Sequence, residues 1–103
     1  VKNLTGVYIG PADMSSSYGL QPKFDIKEDP IFSNIKLIAK KAKEYNKISG
    51  IHTGSTKYAK EMIELGFNLV TITSDFRAMT TFAQNIISEM KEKNINKSES
   101  EAY

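Results

Sequence analysis

Apolar side chains recur along this chain in two alternating rhythms. The first run, Leu4 to Ile9, packs Val7, Tyr8 and Ile9 together and is closed by Gly10-Pro11, which is how a short strand ending in a turn reads. From Pro30 the rhythm changes. Ile31, Ile35, Ile38 and Ala42 recur at helical spacing with lysines on the other side, which predicts a helix from Pro30 to about Tyr45. Asp29 suits its N-cap, and Pro30 suits the first helical position because the N–H it lacks would be unpaired there. "ISGIHT" (Ile48 to Thr53) reads as a second, weaker strand. Ser55 or Thr56 can cap a short helix carrying Ala59, Met62 and Ile63, ended by Gly66 in the left-handed conformation. "FNLVTIT" (Phe67 to Thr73) is a third strand rich in β-branched residues. After "SD", the residues Met79, Phe82, Ala83, Ile86, Ile87 and Met90 form one stripe of a last amphipathic helix, with Asp75 as its N-cap.

The order strand, helix, strand, helix, strand, helix implies an α/β fold with parallel strands joined by crossovers. Three parallel strands alone leave two open edges and incompletely covered faces, so the pattern fits a piece of a larger barrel or doubly wound sheet. A chain opening on Val1 and moving at once into a strand reads the same way. In such folds ligands bind at the C-terminal ends of the strands. We take residues 1–93 as the folded part and 94–103 ("NINKSESEAY") as a polar, disordered tail with little to bury.

Composition narrows the chemistry. The 103 residues are 40% hydrophobic and 25% charged, ordinary values for a small globular domain. A net charge of +2 gives no reason to expect nucleic acid or a membrane as partner. The lysines of the first long helix (Lys36, Lys40, Lys41, Lys43) have no interleaved aromatics and read as a solvated face. Without cysteine there is no disulfide framework and no thiolate chemistry. No apolar run approaches the roughly 20 residues of a membrane span, and a cytoplasmic location is the simplest expectation.

Candidate chemistry gathers at the three strand ends. The connection from Gly10 to Asp29 is far longer than an ordinary βα loop and so reads as functional or disordered. Gly10-Pro11 can hold a tight turn that leaves the N–H groups of Ala12 and Asp13 free for an anion. The Asp13 carboxylate could ligate a hard cation such as Mg²⁺ or Mn²⁺, or else cap its own backbone as a turn residue. His52, the single histidine, suits a base, a ligand or a pocket-lining side chain. "HTGS" sets Gly54 before a helix N-terminus, a weak anion-site signal.

The stretch "GVYIGPADMSSSYG" resembles the signature at the sixth strand of the HpcH/HpaI aldolase family, metal-dependent pyruvate aldolases related to citrate lyase β subunits. Asp29-Pro30, Gly50-Ile51 and "LGF-x-x-V-x-x-x-SD" from Leu65 to Asp75 continue the likeness in register to about Lys93. The resemblance implies a (β/α)₈ TIM barrel, of which this chain would be the C-terminal three βα units. It implies that Asp13 is one of two carboxylate ligands of a divalent metal (Mg²⁺ or Mn²⁺, with Co²⁺ or Zn²⁺ as alternatives). The second ligand, a Glu on the preceding strand, lies outside this sequence, as do the family's His–Asp base pair and its substrate-binding Arg. The N–H groups of Ala12 and Asp13 would hold the carboxylate of a 2-oxo acid, and His52 would line the substrate pocket. Met14 stands for the common Leu, and His52 for an apolar residue on the aldehyde side of the pocket, which leaves the acceptor aldehyde open.

The activity so implied is retro-aldol cleavage of 4-hydroxy-2-oxo acids to pyruvate and an aldehyde through a metal-stabilised enolate, with the isolated 103 residues inactive. The intact protein would be a trimer or hexamer with the Met79–Met90 stripe packed on a neighbour. Two alternatives stand beside it: a citrate-lyase or malyl-CoA type acyl-CoA lyase, and a non-catalytic fragment or paralogue.

Overall fold

A computed structural model describes residues 1–96, with side chains as far as Glu92. The elements follow in the order β1 (Gly6–Ile9), α1 (Pro11–Ser17), α2 (Ile31–Glu44), β2 (Ile48–Thr53), α3 (Thr56–Glu64), β3 (Leu69–Ile72) and α4 (Asp75–Asn96). The strands form one parallel sheet in the order β1-β2-β3, so β2 is central and both neighbours are edges. Register sets Ile9 beside Ile51 and Ile51 beside Val70 on one face. The opposite face carries Tyr8, Gly50, His52, Leu69 and Thr71, because side chains alternate along a strand.

The first of those faces is the core. Ile9 and Ile51 pack with Ile31 and Ile35 of α2, Tyr58 and Met62 of α3, and Ile26 and Phe67 from the connections. The helical spacing of Ile31, Ile35, Ala39 and Ala42 puts these four on the buried side of α2. The lysines of α2 are exposed, as expected of a solvated face, and Lys36 Nζ lies 4.9 Å above the Phe32 ring.

Several boundaries differ from the sequence reading for identifiable reasons. The connection after Gly10 is not a continuous loop: Pro11 sits in the first turn of a two-turn helix, α1, where its missing N–H costs nothing. Ser15 Oγ donates to the Pro11 carbonyl and Ser17 Oγ to that of Met14, so the serines return their hydroxyls to the helix. Asp29 does serve the start of α2, but from one residue further out. Its Oδ1 accepts from both the Ser33 amide and hydroxyl, while Pro30 occupies the cap position. Ser55 caps α3 through a bond from the Tyr58 amide, and Gly66 follows the helix at φ +108°. Ser74, rather than Asp75, caps α4, accepting from the Arg77 amide, while Asp75 accepts from Phe76.

Two compact units are distinguished, Val1–Thr73 and the segment beginning at Ser74. Between them Thr73 adopts φ +53°, an uncommon conformation for a β-branched residue. In the second unit α4 runs through Asn96, into the first residues of the stretch read as a tail. Residues 97–103, and with them the remainder of that reading, lie outside the described residues. The α4 stripe is exposed at Met79, Phe82, Ile86, Ile87 and Met90.

Burial separates side chains that hold the fold from those that merely look apolar. Ile35 is fully buried, whereas Ile63 on α3 is 58% exposed. Ile35→Ala is expected to cost about 2–5 kcal/mol, and Ile63→Ala less than about 0.5 kcal/mol. Equal urea midpoints for the two variants would contradict this core assignment.

Candidate functional site

Parallel strands bring their C-terminal ends to the same side of a sheet, so Ile9, Thr53 and Ile72 all end there. Asp13 follows β1 directly, in the first turn of α1. Met14 is the first residue of that turn whose amide finds a partner, the Gly10 carbonyl at 2.9 Å. Pro11 has no N–H, so helix geometry leaves the Ala12 and Asp13 amides as the donors without an intrahelical acceptor. Asp13 is exposed, and its carboxylate folds back over the chain. A Cβ placed on Gly10 would come 3.2 Å from its Oδ2. Gly10 therefore makes room for the Asp13 carboxylate.

His52 lies near the end of β2 and is half-buried. Its Nδ1 is 2.8 Å from Thr71 Oγ1 on β3, and the same hydroxyl is 2.6 Å from the Tyr8 phenol oxygen on β1. One threonine thus links all three strands across the open face. Gly50 is what allows Tyr8 to lie there, since a Cβ at position 50 would come 2.8 Å from its ring. Phe24 stands edge-on to the His52 ring, with centroids 5.6 Å apart. The roles of Tyr8 and Thr71 were not read from the sequence. A periodicity that marks both as strand residues says nothing about which hydroxyl meets which.

The helix N-terminus after "HTGS" is already filled. Asp25, itself at φ +55°, accepts a 2.7 Å bond from the Gly54 amide and another of 2.7 Å from Ser55 Oγ. The anion that this glycine and serine receive is a side chain of the same protein. Tyr58 completes the corner by donating its hydroxyl to the Ile26 carbonyl. Burial foremost, and then the negative charges of Asp25, Glu61 and Glu28, push the Tyr58 phenol up to about 12.

Among the described residues no group of three or more histidine, aspartate or glutamate side chains comes together to hold a metal ion. Asp13 offers one hard oxygen donor, which fits the part of a single ligand and leaves the remaining positions to other residues. A groove of about 620 Å³ lies elsewhere, between the outer edge of β1 and α2, and is lined by Leu4, Val7, Leu37 and Tyr45 among others. It is apolar and holds none of Ala12, Asp13 or His52.

This is a parallel α/β segment with a carboxylate and two amides at the end of its first strand, and its similarities agree. The chain is 30% identical over 91 residues to a hydroxypyruvate/pyruvate aldolase of Rhizorhabdus wittichii, matching 88% of this chain and 36% of that protein. Its fold is similar to an HpcH/HpaI aldolase from Desulfitobacterium hafniense (TM-score 0.78, 18% identity, 89% of this chain and 35% of the other). It is likewise similar to an HpcH/HpaI aldolase/citrate lyase family protein from Burkholderia cenocepacia (TM-score 0.76, 21% identity, 87% and 34%). No protein-family model matches the chain. The resemblance to HpcH/HpaI aldolases read from the sequence is thus found in both sequence and fold, and this chain spans about a third of the length of those proteins.

Two consequences can be measured. Asp25→Ala removes an acceptor from two donors and is expected to cost about 2–4 kcal/mol, with Asp25→Asn costing clearly less because one acceptor oxygen remains. Urea unfolding distinguishes the two, and an unchanged midpoint for the alanine variant would remove Asp25 from the fold's supports. The folded chain also keeps the Tyr58 proton to a higher pH than the unfolded chain does. That stability is complete below about pH 10 and is lost as pH rises toward about 12. Tyr58→Phe should therefore unfold with a shallower loss of stability between about pH 10 and pH 12 than the parent chain.

Proposed function

We propose that this chain is the C-terminal part of an HpcH/HpaI-type aldolase barrel, contributing three βα units and one side of its active site. The observation that carries the reading is the Asp13 carboxylate set beside two unengaged amides at the end of β1. The similarity to a hydroxypyruvate/pyruvate aldolase over 91 residues supports it. The two open sheet edges and the apolar groove along β1 also support it, since further βα units would cover both.

In this reading the intact enzyme cleaves a 4-hydroxy-2-oxo acid to pyruvate and an aldehyde. A divalent cation, held by Asp13 and a carboxylate from another part of the barrel, would supply Lewis-acid polarisation of the 2-oxo acid. The Ala12 and Asp13 amides orient the substrate carboxylate as fixed donors that need no reorganisation when charge develops. His52 borders the pocket from the end of β2. The base that takes the 4-hydroxyl proton belongs to the part of the barrel that this chain lacks, so these 103 residues alone are inactive. The exposed Met79–Met90 stripe of α4 is assigned to a subunit contact in a homo-oligomer, a trimer or hexamer.

In the intact protein, EDTA should abolish cleavage and Mg²⁺ or Mn²⁺ should restore it. Asp13→Ala should lower kcat/KM by roughly a hundredfold or more, with the fold intact by circular dichroism. Full activity in Asp13→Ala, or cleavage at enzymatic rates by the 103 residues alone, would overturn the assignment.

A further inference from the structure

The open face of the sheet holds a three-residue hydrogen-bond chain that the aldolase reading does not use. Thr71 Oγ1 stands between the Tyr8 hydroxyl at 2.6 Å and His52 Nδ1 at 2.8 Å. A threonine hydroxyl has one proton to give, so the chain has two polarities. In one, Tyr8 donates to Thr71 and Thr71 donates to an unprotonated Nδ1. In the other, Nδ1–H donates to Thr71 and Thr71 donates to the phenol oxygen. The first pairs the more acidic hydroxyl as donor with the imidazole nitrogen, the better acceptor, at the end of the chain, and leaves Nε2–H and the phenol oxygen to solvent. The second ends the chain on the phenol oxygen, a poorer acceptor, and leaves the Tyr8 proton and the Nε2 lone pair to solvent. No side-chain nitrogen or oxygen among the described residues is both buried and unpaired, so Nε2, which has no protein partner, is reached by solvent.

We propose that Tyr8 and Thr71 are positioning residues that hold neutral His52 as its Nε2–H tautomer. The open face then presents a fixed N–H donor to an oxygen of a bound small molecule, a carbonyl, hydroxyl or carboxylate. Phe24, edge-on to the ring, limits its rotation from the side of the long connection. Gly50 belongs to the same device, because any side chain there would displace the Tyr8 ring. His52 acts in this arrangement as a donor and is excluded as a base through Nε2, whose lone pair is occupied by the proton. Only the identity of that oxygen rests on the aldolase reading. The tautomer can be tested without catalysis, so either idea can fail alone.

His52 is the sole histidine, so its ring signals in this chain are unambiguous. Long-range ¹H–¹⁵N correlation at about pH 9, where imidazole is neutral, reads each nitrogen directly. The expected spectrum has Nδ1 in the unprotonated range and Nε2 in the protonated range. Thr71→Val should move both nitrogens toward the averaged shifts of exchanging tautomers, Thr71→Ser should restore the parent pattern, and Tyr8→Phe should produce a smaller move in the same direction. A parent spectrum of the Nδ1–H form or of a mixture would overturn the proposal, and so would an unchanged spectrum in a folded Thr71→Val. Should that variant fail to fold, the parent and Tyr8→Phe spectra decide the question.

Discussion

The Asp25 carboxylate is the contact on which the strand-end side of the first unit depends. It takes the Gly54 amide and the Ser55 hydroxyl together, and so ties the long connection after α1 to the turn between β2 and α3. Everything beside it follows from that tie. Ile26 next to it enters the core, where its carbonyl receives the Tyr58 hydroxyl, and Phe24 on its other side meets the His52 ring. The left-handed backbone at Asp25 turns the chain so that its two neighbours can face these partners, and aspartate tolerates that conformation better than most residues. A carboxylate at a helix N-terminus also complements the dipole there, which adds to the value of the two bonds.

This arrangement divides the strand ends into two kinds. At the β2–α3 turn the backbone donors are spent internally, so the turn is structural. At the β1–α1 turn they are not. Ala12 and Asp13 keep their amides, Asp13 keeps an exposed carboxylate, and Gly10 keeps the space that the carboxylate needs. Two helix starts that each follow a glycine at a strand end therefore differ in what they can bind. The difference arises from one side chain, Asp25, which lies 29 and 30 positions from the Gly54 amide and the Ser55 hydroxyl that it binds.

The sheet adds a second asymmetry. Its core face carries Ile9, Ile51 and Val70 beside the buried Ser49 and Thr53, and its other face carries Tyr8, Gly50, His52, Leu69 and Thr71. Helices cover the first face of a parallel sheet. The second is left with Tyr8 and Leu69 about half exposed. In the barrel proposed above, this face would be the interior one, with the Tyr8–Thr71–His52 chain lining it.

The local chemistry of the sequence was enough for every described element except α1. β-Branched clustering marked the strands, the Ile31–Ala42 spacing marked α2, and Gly66 marked the end of α3, because these signals act over a single turn or strand. The motif around Asp13 was legible for the same reason: its glycine, proline and carboxylate are neighbours in the chain. Helix α1 was missed because Gly10-Pro11, three serines and Gly19 read as loop, whereas Pro11 opens the helix and Ser15 and Ser17 turn their hydroxyls back onto its carbonyls. Tertiary structure alone decided that Asp25 fills the anion site beside Gly54 and that Thr71 joins His52 to Tyr8. Those partners are 29, 19 and 63 residues apart. Pattern along a chain carries no information about which distant polar groups meet, because that depends on strand register and on the left-handed turn at Asp25, both of which are settled by packing.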